Sequence, residues 1–158
     1  LGERGANSRL NKIIYWLQEA RTKGMAPETT LRWAQMWNGV KEPRASLVSE
    51  TLIRNLKIAD QLGLLSKENL DRLRRGNAGV IARGPYAGET VEIDHIVPYS
   101  LAREAGNELA NLEMLPRTVN RRKSNRVGPR QLEHAEKLLE AGLLGKDSYG
   151  RVRAQARQ

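Results

Sequence analysis

The chain has 158 residues, enough for one domain with or without an appendage and enough to bury a core. Its 27 Lys and Arg outnumber 18 Asp and Glu, and the resulting charge of +9 suits a polyanionic partner such as nucleic acid. It has no cysteine, which excludes disulfides and thiolate metal sites, and no apolar run near the ~18 residues that a membrane span needs. No signal peptide is visible, so the expected compartment is the cytoplasm. Because the first residue is Leu1 rather than Met, a cleaved leader stays open.

Residues 1–6, with Gly2 and Gly5, read as loose. From Ser8 the pattern turns helical, with Leu10, Ile13, Ile14 and Leu17 at one helical face and Gly24 at the end. Pro27 opens a second helix, followed by Glu28 in its first turn. Trp33, Met36 and Trp37 share a face of it. Core packing is the expected use of these side chains in a chain without phenylalanine, with base stacking as the alternative. Pro43 opens the next helix, whose stripe Leu52, Leu56 and Ala59 runs to Gly63, and Ser66 opens a short one carrying Leu70 and Leu73. Residues 8–75 therefore read as a small helical bundle, either a scaffold for the second half of the chain or an accessory that touches DNA.

Residues 76–90 are glycine-rich and read as a loop with a short strand at Val80–Ile81. Two short strands come next, Val91–Ile93 and Leu112–Leu115, separated by a wide loop over residues 98–110. Pro116 or Arg117 starts a helix that Gly128-Pro129 ends. A last helix runs from Gln131 to Gly142, with His134 among Glu133, Glu136 and Lys137 and read as exposed. The tail from Lys146, with Arg151, Arg153 and Arg157, is expected to be a mobile basic arm.

The chemistry lies in Val91–Arg126, VEIDHIVPYSLAREAGNELANLEMLPRTVNRRKSNR. Asp94 and His95 stand side by side after a short apolar run. Asn111 then precedes Leu-Glu-Met-Leu-Pro, and Asn120 falls in a basic segment. In this order and spacing the stretch resembles the HNH endonuclease motif, also called the ββα-metal or His-Me finger. The resemblance covers 36 residues, with the last position Asn120 rather than His. It implies an α+β fold, mostly helical, built around a ββα-metal finger. It also implies a metal-dependent endonuclease that hydrolyses DNA phosphodiester bonds. His95 would be the general base on water, a task that suits a side chain titrating near neutrality. Asp94 and Asn120 would each give one oxygen to a divalent ion. Mg²⁺ is the expected ion, with Mn²⁺, Ni²⁺, Co²⁺ or Zn²⁺ as alternatives. Asn111 would hold the loop and help to orient the histidine.

The Asp-His pair sets a geometric condition. Neighbours on a regular strand point to opposite faces, so Asp94 and His95 share a site only if the strand ends or bends there. Pro98, three residues on, supports an ending. Beside the motif, basic residues crowd the helix: Arg117, Arg121, Arg122, Lys123 and Arg126, with Arg130 just beyond. Arg117 and Lys123 lie three residues either side of Asn120 and share its face. These cations are the expected contacts to DNA phosphates.

The organisation expected is an N-terminal helical bundle at 1–75, the ββα-metal segment at 76–130, and a C-terminal helix with a basic tail at 131–158. DNA is the expected partner, a membrane is not, and a homodimer is left open. Two other readings compete: a noncatalytic basic DNA-binding module, and an RNA-associated basic protein, which would have no use for the Asp94, His95, Asn111 and Asn120 set.

Overall fold

The computed structural model describes the backbone of residues 2–158 and the side chains of residues 7–158. Helix α1 (Gly2–Thr22) buries Leu10, Ile14 and Leu17 and stops at Gly24, whose φ of 89° suits a residue without a Cβ. Its backbone takes in residues 2–6, expected to be loose, because they continue the same helix; Leu1 lies outside the described residues. Helix α2 (Pro27–Trp37) begins on Pro27, and α3 (Arg44–Gln61) carries the buried stripe Leu52, Leu56 and Ala59. In α4 (Lys67–Arg74) the Ser66 hydroxyl accepts from the Asn69 amide at 3.3 Å and caps the helix.

The tryptophans of α2 correct an expectation. Trp33 and Met36 are each 62% exposed and Trp37 is 91% exposed, so they do not pack in the core. Leu31 fixes the inward face of α2. Positions two, five and six beyond it, at about 3.6 residues per turn, fall on the far side. Trp16 of α1 is also outside, at 63%.

Strand β1 (Val91–His95) pairs antiparallel with β2 (Leu112–Pro116), each running slightly further than its apolar core. The expected strand at Val80–Ile81 is a single bridge, Val80 to Thr90. Helix α5 (Arg117–Lys123) follows β2 directly and ends far short of Gly128-Pro129, because Ser124 leaves helical space with φ of 50°. Arg126 therefore sits beyond α5, and Arg130 belongs to α6 (Pro129–Glu140). The tail is not a free arm. It folds as α7 (Lys146–Ala156), anchored on α6 by Val152, which is fully buried.

Three buried asparagines join these parts by mimicking a strand edge, each offering one amide donor and one oxygen acceptor to a neighbouring backbone. Asn55 of α3 donates to Leu112 O at 2.9 Å and accepts from Met114 N at 2.8 Å, which covers the outer edge of β2. Asn69 of α4 does the same with Val80 N and O, both at 2.8 Å. Asn111 does so with Val97, at 2.9 and 3.1 Å. The helical N-terminal half thereby holds the hairpin in place, and one apolar cluster runs from Leu10 through Met114 to Val152. No helix among the described residues is long and apolar enough to cross a membrane.

Candidate active site

Alternation along β1 puts Glu92 and Asp94 on one face, the face crossed by α5. Helix α5 is seated there by Glu89, whose carboxylate accepts from the Thr118 amide at 3.1 Å and from its hydroxyl. These bonds, with the nearby charges of Arg117 and Arg121, hold the Glu89 carboxyl below its usual value. Asn120 then donates its side-chain amide to Glu92 Oε2 at 2.7 Å, and Arg117 stands 3.6 Å from Glu92 Oε1. Lys123, one turn on from Asn120, places Nζ 2.6 Å from Asp94 Oδ2 and 2.7 Å from the His95 carbonyl. Its side chain is only 12% exposed.

Lys123 also reaches Glu113 Oε1 at 3.4 Å. Glu113 is the cross-strand partner of Asp94, and its side chain is 1% exposed. Arg54 of α3 meets it at 3.3 Å, and Arg130 of α6 meets it closer still. Burial pushes the Glu113 carboxyl up. The Arg130 hydrogen bond and the charges of Arg130, Lys123 and Arg54 outweigh that and hold it below its ordinary value. A buried carboxylate on three cations makes this the electrostatic centre of the hairpin.

His95, the last residue of β1, sends its ring the other way, into the loop between the strands. One ring nitrogen lies 2.8 Å from Gly106 O, and the ring packs beside Tyr99 with centroids 5.5 Å apart. A carbonyl only accepts, so that nitrogen donates to it, which in the neutral ring leaves the lone pair on the other nitrogen. Asn111, fully buried, holds Val97 and through its own carbonyl accepts from Ile96 N at 2.8 Å, fixing the chain just past His95.

The structure thus gathers Asp94, Asn120, Arg117 and Lys123 on one face and sets His95 and Asn111 at the strand's end. Among the described residues no hydrogen bond links His95 to Asp94, Asn111 or Asn120 through side chains. Arg121, Arg122 and Arg126 are exposed. Sequence reasoning passed over Glu92, Glu113, Glu89 and Arg54. Glu92 was findable, standing two residues before Asp94 and so on the same strand face. Arg54, in a helix far upstream of β1, carried no local signal. His134 is a correction: it is half-buried, with a ring nitrogen 2.6 Å from Ala110 O, because α6 packs on the turn before β2. Burial, and then the charges of Lys137, Arg130 and Arg54, press its pKa below the usual value despite the bond to Ala110.

Two oxygen donors, Asp94 Oδ1 and Asn120 Oδ1, have no hydrogen-bond partner among the described residues, since Asp94 uses Oδ2 toward Lys123 and Asn120 donates to Glu92 through its amide nitrogen. Oxygen donors suit a hard divalent ion. No group of three or more His, Asp and Glu among the described residues converges to hold a metal alone. Two oxygen ligands fit only a hard divalent ion that keeps water and substrate oxygens in its shell.

A hairpin with a wide loop, a helix laid across it, and an Asp-His pair at the strand exit define a ββα finger. Residues 84–128 match the profile of the HNH endonuclease family. The chain matches no curated protein and no solved structure. The family-level implication of the matched segment is nuclease activity.

Proposed function

We propose that this protein is a metal-dependent endonuclease that hydrolyses DNA phosphodiester bonds. The observation that carries the reading is the placement of Asn120 and Lys123 of α5 on the Glu92–Asp94 face of β1, with His95 at its end. His95 acts as general base: the unprotonated ring nitrogen takes a proton from water, and the resulting hydroxide attacks phosphorus in line with the departing 3′ oxygen. The Gly106 carbonyl fixes the tautomer, and Asn111 fixes the backbone that carries the ring. Asp94 and Asn120 would hold one divalent ion, Mg²⁺ first. Bound there, it supplies Lewis-acid stabilisation to the phosphate and to the leaving oxygen. Lys123 orients the Asp94 carboxylate, while Arg117, Arg121, Arg122 and Arg126 line the approach for the phosphate backbone.

Incubation of supercoiled plasmid, and separately of structured RNA, with Mg²⁺, Mn²⁺ or EDTA tests this. Nicked or linear plasmid with metal and none with EDTA is the expected result. Binding without cutting under every metal would leave a DNA-binding module, and cleavage confined to RNA would overturn the choice of substrate.

A further inference from the structure

Helix α6 presents Arg130, His134 and Lys137 at successive turns of one face, opposite Arg54 of α3. Together with Glu133 they line a recess of 220 Å³. Arg54 and Arg130 reach inward to the same Glu113 carboxylate, and each stays nearly half exposed on its outer side, at 46% and 44%. Glu113 offsets one of the two guanidinium charges, and Lys123 competes for it from the other flank. Lys137 adds a third cation, weakly countered by Glu133 at 3.7 Å, which is itself 69% exposed. Burial first, and then the charge of Arg130, hold the Arg54 pKa below its usual value, with Glu113 opposing them.

We propose that this recess between α3 and α6 binds a phosphate group, gripped by the Arg54 and Arg130 guanidiniums and by Lys137. Two guanidinium forks and an ammonium, one from α3 and two from α6, suit the tetrahedral oxygens of phosphate. The site uses residues outside the matched segment 84–128. It also sits one cross-strand pair away from Asp94, through Glu113. The natural occupant is a backbone phosphate flanking the scissile one on the same strand, an assignment that rests on the endonuclease reading.

The protein has two histidines, so their ring protons give two resolvable NMR signals, one in the recess and one at the strand exit. The probes are inorganic phosphate and a short single-stranded DNA, each titrated in EDTA at constant ionic strength. The expected result is a saturable shift of the His134 signal with both probes. Affinity should fall about tenfold in Lys137→Gln and in Arg54→Gln, the worth of one charge-assisted contact. Lys137→Gln leaves Glu113 untouched, so it remains informative if Arg54→Gln unfolds. A response to phosphate but not to DNA supports the site and assigns it to free phosphate instead of a strand. A His134 signal that follows sodium chloride equally, or that is unaltered by both probes, overturns the proposal. Plasmid cleavage with a silent His134 defeats this inference alone, whereas a responsive His134 with uncut plasmid defeats the nuclease reading alone.

Discussion

Lys123 Nζ lies 2.6 Å from Asp94 Oδ2 and 3.4 Å from Glu113 Oε1. The lysine is therefore engaged by three oxygens and is mostly covered, unlike Arg121 and Arg122 just before it. The basic stretch of α5 splits into cations that organise the site and cations that face solvent.

That split predicts different salt behaviour. Arg121→Ala and Arg122→Ala should each reduce the slope of log affinity against log salt by about one unit per lost phosphate contact, across all DNA sequences. Lys123→Ala should change that slope little and lower the metal-dependent rate instead. Binding isotherms from low to moderate salt, beside rates under saturating Mg²⁺, check both halves. An equal loss of slope in all three variants would return Lys123 to the phosphate backbone.

His95→Ala should lose cleavage by ~10²- to 10⁴-fold or more while keeping DNA affinity and metal affinity, because a general base acts on the nucleophile. Calorimetric metal binding with a gel-shift assay separates the roles. Loss of metal binding in this variant would make His95 a ligand.

Asn120→Ala should lose metal-dependent activity, whereas Asn120→His should keep part of it and shift its preference toward Co²⁺, Ni²⁺ or Zn²⁺, since imidazole nitrogen suits those ions better than an amide oxygen does. Both changes also break the bond to Glu92, so a melting curve accompanies each metal profile. Equal thermal losses with the parent's metal profile would make Asn120 a brace for α5 and nothing more.

Glu113→Ala should destabilise the fold by about 2–3 kcal/mol. Removing one partner of a buried ion pair costs about 3–5 kcal/mol, and the figure falls here because Arg54 and Arg130 keep much of their hydration. Urea unfolding measures it, and a loss near zero would strip Glu113 of its central part in the hairpin.

Acid should weaken the protein in two steps. His134 has a lowered pKa when folded, so its contribution is present above its ordinary 6.5 and is lost as pH falls from there toward the folded value. Glu113 is likewise lowered, and its contribution is lost below its ordinary 4.5. Stability measured against pH should show both declines, and His134→Gln should remove the upper one. An upper decline that survives in that variant would point to another group.

Much of the fold was legible because helices announce themselves locally. Leu10, Ile14 and Leu17 have helical spacing, Pro27 opens a helix, and Gly24 and Gly63 close two. The hairpin and its crossing helix were legible instead through the family resemblance that Asp94, His95, Asn111 and Asn120 carry. The hidden part is long-range. Nothing near Asn55 in sequence says that its amide completes the edge of β2, and nothing near Arg54 or Arg130 says that they meet on Glu113. The tryptophans misled for a different reason. Their type argues for burial, but the phase of Leu31 along α2 decides which side faces inward.

Trp16, Trp33 and Trp37 are all turned outward, at 63%, 62% and 91% exposure, and the protein has three tryptophans in all. Its ultraviolet emission should consequently lie close to that of indole in water. Unfolding should hardly move the emission maximum, so the melting and urea curves need amide circular dichroism as their signal. A blue shift in a folded sample would instead report something settling over α1 and α2.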